Sequence, residues 1–417
     1  MSQSPDAAAP CARPPALAFV LVTVWLDSLA QSISFPILPR LAQHLLGGDP
    51  AAAARWVGYL EVAWAVPQVL AAVVLGRLSD RFGRRPVIVA SVLGVGAELI
   101  TGALAPSIGW LMAARVLCGL TCGGAAAAMA YVADVTEAAE RAGRFGWVNA
   151  AIWSGVSLGP ALGGLLAGLG LRAPFWAAAG LAIGAGFWGL LAMPESLPKS
   201  LLRGNGRAPL RWSNLAPLAS LDVLVRRPGL APLAAALLFV WLAFQAKDNM
   251  LVLYTAYRYG WSALNFGVFC TVLAALSILV QARGAAIAAR RLGERATVLG
   301  GLALQAAGLL AMGLAPSAAA FWLANVPIIL GGVAAPALQA LMSARADADE
   351  QGRLQGALAS IASLTSVAAP IGLTQLFAWS IAGGRDPACS GVTMLLAAGF
   401  TGAALAVVAG SRRRRTT

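Results

Sequence analysis

Charge is what this chain has least of. Asp, Glu, Lys and Arg make up 11% of its 417 residues, against 59% hydrophobic, and the mean hydropathy is +0.75. Soluble globular domains carry about a quarter charged residues, so that class is excluded. There is one histidine, His44, and it lies in a polar stretch, where it reads as solvated. Histidine-based metal and acid–base sites therefore lack their commonest side chain. Five cysteines (Cys11, Cys118, Cys122, Cys270 and Cys389) supply no outer-face pair for a disulfide framework. Cys118 and Cys122, one helical turn apart, read as small packing residues. HExxH and a phosphate-cradling glycine loop are missing, and the one GxSxG string, Gly155 to Gly159, lies inside an apolar run, which leaves an enzyme without machinery; no cofactor or metal is expected.

What the chain does have is long apolar runs. About 20 apolar residues at about 1.5 Å rise cross the hydrocarbon layer of roughly 30 Å. Twelve such runs are present, at 16–36, 56–75, 86–105, 108–132, 146–168, 172–193, 231–256, 261–284, 297–315, 319–342, 355–379 and 391–410. The expected fold class is an all-α polytopic membrane protein with 12 transmembrane helices. The first run lacks a small-residue cleavage site and is expected to stay as a span.

A net charge of +13 invites a nucleic-acid reading, but the location of the charge argues otherwise. With a cytosolic N-terminus, 22 of the 30 Lys and Arg fall in cytosolic segments and five (Arg40, Arg55, Arg172, Arg258 and Arg385) in outer ones. That bias sets both termini inside by the positive-inside rule. Arg412 to Arg415 also suit anionic lipid of the bilayer. No nucleic acid and no partner chain is implied, so a monomer is expected.

The longest hydrophilic stretch, 194–230, is rich in Pro, Gly and Arg and divides the spans six and six. The expected organisation is a six-helix half at 1–193, a cytosolic linker at 194–230 and a six-helix half with a basic tail at 231–417. An offset of 210 residues pairs Arg81 with Arg291, Gly83 with Gly293, Arg85 with Arg295, Glu140 with Glu350, Gly146 with Gly356 and Pro160 with Pro370. Six spans per half make the repeats parallel, the construction of many secondary carriers.

Two stretches carry motif-like spacing. "GRLSDRFGRRP" gathers Gly76, Ser79, Asp80, Arg81, Gly83, Arg84 and Arg85 between spans two and three. Gly76 allows close backbone approach, Gly83 a left-handed turn, and Asp80 can cap a helix start or pair with an arginine across the cytosolic face. Such a cluster can latch one conformation, or simply hold the loop inside. "GWVNAAIWSGVSLGPALGG" sets Gly146, Gly155, Gly159, Pro160, Gly163 and Gly164 along span five, where four-residue spacing permits close helix packing and Pro160 can bend the helix.

These residues resemble the loop motif and the antiporter motif of the major facilitator superfamily. "LD" nine residues before "PILP", "RFGW", "YRYGW", "APALQALMS" and "EQGRLQGALAS" are similar to the tetracycline-efflux branch of its drug:H+ antiporters. The resemblance implies the major facilitator fold, a sealing role for the span-five motif and a peripheral place for span three.

Ionisable side chains inside a membrane cost several kcal/mol unless paired or wet, so each is a candidate by default. Asp27 lies about 16 Å along span one, near the midplane, and can carry a proton. Glu98, about 18 Å up span three, and Arg115, about 10 Å down span four, stand at similar depth and can pair, for structure or for coupling. The resemblance matches all three to family positions tied to transport. Glu61, Lys247 and Asp248 have no family counterpart and are either gate and substrate contacts or interfacial groups. Gln31, Gln68, Asn149, Trp153, Gln245, Asn249, Gln281 and Asn325 complete a candidate substrate cavity, as amides for polar atoms and an aromatic face for apolar area. Some of these amides merely bridge helices.

Two positions depart from the tetracycline pumps, which carry an aspartate where this chain has Gln305 and a histidine where it has Ser277. Tetracycline itself is therefore the doubtful member of the expected substrate class. The leading reading is a proton-coupled exporter of small amphiphilic drug-like molecules working by alternating access. Its alternatives are an exporter of an endogenous metabolite, natural product or sugar, and, from another class, a transport-dead membrane receptor. The arginine-rich, lysine-poor composition fits the cytoplasmic (inner) membrane of a bacterium.

Overall fold

The computed structural model describes residues 14–137, 140–197, 224, 229–345 and 351–411. Most of the 194–230 linker, Glu350 and Arg412 to Arg415 lie outside them. The first half comprises α1 (Pro14–Ile33), α2 (Leu38–Leu45), α3 (Pro50–Phe82), α4 (Arg84–Leu104), α5 (Ile108–Thr121), α6 (Gly124–Asp134), α7 (Arg141–Leu166) and α8 (Ala173–Ala192). The second comprises α9 (Ala231–Tyr259), α10 (Ala263–Leu292), α11 (Glu294–Leu314), α12 (Ala318–Gly331), α13 (Ala334–Ser343), α14 (Gln351–Ile381) and α15 (Val392–Gly410). The described residues form no strand. Helix is the form in which an apolar segment satisfies its own backbone groups in lipid. Eleven helices are long and apolar enough to cross a membrane, and twelve with α3, bent by 42°, counted as one span.

Spans four and ten are not continuous, contrary to the sequence expectation of unbroken runs at 108–132 and 319–342. Span four stops at Thr121 and restarts at Gly124; span ten stops at Gly331 and restarts at Ala334. The two breaks are 210 residues apart, so the repeat extends to an irregularity of the backbone. It also extends to the core. Val20, Val24, Ile88, Ala127, Ala128 and Val148 share one buried cluster, and Leu230, Ala234, Val298, Ala337, Leu338 and Leu358, each 210 residues on, share another.

Two compact units are present. One gathers the described residues up to Phe35 and those from Val66 into the linker; in it α1 packs on α7 and α8, and α4 on α5, α6 and α8. Span three is well buried, with 61% of its apolar window inside. The other unit gathers Pro36–Ala65 with the second half. Its aromatic core joins Tyr254, Trp261, Phe266, Phe269 and Phe321 to Ala54 and Val57 of α3. Arg40 of α2 donates to the Trp261 carbonyl, and Gln375 of α14 donates to the Tyr59 hydroxyl at 3.2 Å.

Candidate functional site

Within the first unit the polar residues of spans one to four converge. Asp27 of α1 is 9% exposed. Its Oδ2 accepts from Gln31 Nε2 at 2.9 Å, the two residues lying one turn apart on α1, while Oδ1 is buried without a hydrogen-bond partner. Glu98 of α4 is 3% exposed, and its Oε1 meets Arg115 Nη2 of α5 at 3.1 Å. The antiparallel course of α4 and α5 brings them level. Removing either partner of a buried pair leaves an uncompensated charge, so this pair ties α4 to α5. Gln68 of α3 donates to Cys122 Sγ at 3.2 Å, at the break in span four. Cys118 and Cys122 lie within electrostatic reach of Asp27, Glu98 and Arg115. Both thiols are free, and the described residues hold no metal-binding group of three or more ligands.

The span-five motif seats the helix that carries Asp27. A methyl on Gly155 would stand 2.8 Å from the Trp25 carbonyl oxygen, and methyls on Gly159 and Gly163 would collide with Ser32 and with the Ile33 carbonyl. Ser32 Oγ donates to the Gly155 carbonyl at 3.0 Å across this contact. Pro160 and Gly164 are buried in α7, which runs on without a break. Gly146 faces open space, as does Gly76, so neither provides the close approach expected of it here. Asn149 donates to its own Phe145 carbonyl at 3.0 Å, and Trp153, 59% exposed, follows one turn later on the same face.

In the 76–85 loop Arg84 is the hub. It meets Asp80 at 2.5 Å, Asp134 of α6 at 3.0 Å and Ser79 Oγ at 3.2 Å. Asp80 thus pairs with its neighbour one turn on, and the acid that reaches across from another helix is Asp134, which the sequence reading missed. It also missed Glu195. That carboxylate accepts from the Arg84 and Arg85 amides at 2.8 and 3.2 Å and so caps the start of α4, where unpaired amides and the helix dipole favour an anion. Gly83, at φ 107°, makes the turn, and any side chain there would strike Glu195. Arg85 donates to the Leu190 carbonyl at the end of α8. Arg81 is exposed, with its guanidinium 5.3 Å from the Phe82 ring centre. The second repeat keeps the turn, with Gly293 at φ 82°, and keeps the arginine on the last helix, with Arg295 donating to Val408 and Ala409 at 3.1 and 2.9 Å. It puts Arg290 and Glu294 where Asp80 and Arg84 stand.

In the second unit, Lys247 Nζ donates to the adjacent Asp248 carboxylate and lies 5.7 Å from the Phe244 ring centre. The pair is half-buried, as are Gln245 and Asn249, whose Nδ2 is buried without a partner. Gln281 Nε2 lies 3.7 Å from where a methyl on Gly332 would stand, at the break in span ten, and Gln305 packs on Gly331 beside it. Asn325 donates to the Phe321 carbonyl at 2.7 Å, as Asn149 does to Phe145, but it is 3% exposed where Asn149 is exposed, and burial sets it apart from the other candidate contacts. Glu61 lies on the part of α3 that belongs to this unit.

Twelve apolar spans, with the bent α3 counted as one, a repeated six-helix plan and buried carboxylates within the spans are the construction of a membrane transporter. The Major Facilitator Superfamily profile matches residues 20–370, and the chain belongs to that family. It is 36% identical to the class C tetracycline resistance protein of Escherichia coli over 88% of this chain and 90% of that one. It is 35% identical to the class G tetracycline resistance protein of Vibrio anguillarum over 86% and 89%. Among solved structures, the nucleoside transporter NupG matches with a TM-score of 0.75 at 11% identity, covering 95% of this chain and 98% of that one. The human organic anion transporter MFSD10 (TETRAN) matches with a TM-score of 0.67 at 23% identity, covering 94% and 99%.

Proposed function

We propose that this protein exports small amphiphilic drug-like molecules, tetracycline-type compounds among them, in exchange for protons. The observation that carries the reading is Asp27, a carboxylate near the middle of span one with one oxygen held by Gln31 and the other unpartnered. Proton and substrate would shift the balance of inward-open and outward-open states through unequal affinity for each. Glu98 and Arg115 form a buried ion pair in the same unit as Asp27, which supports a coupling role for the pair. Gln31, Gln68, Asn149, Trp153, Gln245, Asp248, Asn249 and Gln281 are the proposed contacts with substrate. The chain works as a monomer in the cytoplasmic membrane of a bacterium, both termini in the cytosol.

The test is transport in proteoliposomes with an imposed pH gradient, with tetracycline and a panel of amphiphilic cations as probes. Asp27→Asn is expected to lose proton-driven accumulation while still binding probe. Full proton-driven transport by Asp27→Asn would refute the coupling assignment. Gln305 and Ser277, which depart from the tetracycline pumps, favour a second reading, an exporter of an endogenous metabolite or natural product. Substrate-stimulated proton movement across the panel separates the two.

A further inference from the structure

The internal repeat shows what the surroundings of Asp27 would be without a function. An offset of 210 residues maps Asp27, Ser91 and Gly124 onto Leu237, Gly301 and Ala334. Leu237 and Ala334 belong to one buried apolar cluster, and the Cβ of Ala334 stands 2.8 Å from where a methyl on Gly301 would lie. The second repeat therefore fills this place with methyl groups. In the first repeat the same place is polar and less filled: Leu has become Asp, Ala has become Gly, and Gly has become Ser. A methyl on Gly124 would lie 3.4 Å from Ser91 Cβ and 3.9 Å from Asp27 Oδ2, so the three residues border one space.

The polar atoms around that space are unsatisfied. Asp27 Oδ1 and Ser91 Oγ are both buried without a hydrogen-bond partner, in side chains 9% and 3% exposed. Gly124 opens α6, so the amides of its first turn have no carbonyl to donate to within the helix. Hydroxyls elsewhere on α1 and α4 turn back onto their own helix. Thr23 donates to the Phe19 carbonyl at 2.8 Å and Thr101 to the Ala97 carbonyl at 2.8 Å. Ser91 does not.

We propose that the break in span four is a binding site for one water molecule, held by the Asp27 carboxylate, Ser91 Oγ and a first-turn amide of α6, through which the transported proton reaches Asp27. A buried water takes two to four polar partners, and this space offers an acceptor, a donor and a group that is both. In the transfer step an O–H bond of the arriving hydronium breaks, one forms on the Asp27 carboxylate, and a neutral water remains. Ser91 is a positioning residue: it orients the water and takes no proton itself. The titratable groups within electrostatic reach of Asp27 are the Cys118 and Cys122 thiols, which also feel the Glu98–Arg115 pair of α4 and α5. The membrane-embedded parts of α7 and α8, packed against α1, bring no charged side chain.

This inference rests on Asp27 carrying the proton, and the experiment separates the two. Purified protein in lipid nanodiscs is titrated with pH while infrared difference spectra record the carboxylic C=O stretch, assigned to Asp27 by its loss in Asp27→Asn. Ser91→Gly and Gly124→Ala each install the second-repeat residue. Each is expected to shift the midpoint of that band by about one pH unit, tenfold in proton affinity. Ser91→Thr, which keeps the hydroxyl, is expected to stay near the wild-type midpoint. Should Gly124→Ala fail to fold, Ser91→Gly alone decides. An unshifted midpoint in the folded variants, with the Asp27 band present, overturns the water site and leaves the proton role of Asp27 standing. Absence of any titrating band that Asp27→Asn removes overturns both.

Discussion

Gly163 has no room for a side chain, because its Cα faces the Ile33 carbonyl of α1. Gly146, in the same motif, faces open space. Gly163→Ala forces α1 and α7 apart and is expected to destabilise the protein by about 1–3 kcal/mol, as overpacking does. Gly146→Ala is expected to stay within about 0.5 kcal/mol of wild type. Thermal unfolding in detergent checks both, and equal losses would show that the motif acts as a whole and not through its contact with α1. At this scale the sequence was legible wherever a residue was costly. Asp27, Glu98 and Arg115 stood out because a charge in an apolar run needs a reason. Ser91 did not, because a hydroxyl in a membrane helix ordinarily bonds its own backbone, as Thr23 and Thr101 do here.

Between elements, the 76–85 loop has one cationic hub and three carboxylates, which the sequence reading takes as a latch. Arg84 joins the end of α3 to α6 through Asp80 and Asp134, while Glu195, beyond α8, caps α4. In the second repeat Glu294 takes the place of Arg84 and Arg290 that of Asp80, so acid and base are exchanged. Arg84→Ala, which takes the cation from both acids, is expected to slow transport about tenfold. Asp80→Asn removes one exposed partner and is expected to slow it about threefold, and Arg290→Ala to stay within about twofold, given the small worth of solvated pairs. Initial rates in proteoliposomes measure all three, and equal effects of Asp80→Asn and Arg290→Ala would remove the latch. The loop motif was readable in the sequence, but its partners were not. Asp134 and Glu195 lie about 50 and 110 residues beyond it, and only the packing of α4 against α6 and α8 brings them to it. The breaks in spans four and ten were hidden for a different reason. Small residues such as Cys122, Gly123 and Gly124 are as frequent at tight helix contacts as at interruptions. The 210-residue offset, which sets both interruptions at equivalent positions, was the available signal.

For the whole molecule, the spans, the repeat and the family likeness were all present in the sequence, because hydrophobic run length and internal periodicity survive without knowledge of contacts. The allegiance of Pro36–Ala65 to the second unit was not. It depends on long-range contacts such as that of Arg40 with the Trp261 carbonyl, which no local pattern encodes. Orientation in the membrane rests on charge alone, and that makes it open to direct test. Cys389 is a free, exposed cysteine in the segment before the last span, which the basic-residue bias puts on the outer side. Arg81 is exposed on the loop that the same bias puts in the cytosol. A variant keeping Cys389 alone, with the other four cysteines changed to serine, is expected to react with a membrane-impermeant maleimide on intact cells. A cysteine-free variant carrying Arg81→Cys is expected to react only after permeabilisation. The reverse pattern would invert the chain and move the arginine hub at Arg84 to the outer face. The direction of exchange would stay the same, because the proton gradient and not the orientation of the chain drives a reversible antiporter; what would change is which face carries the arginine hub and which face substrate meets first.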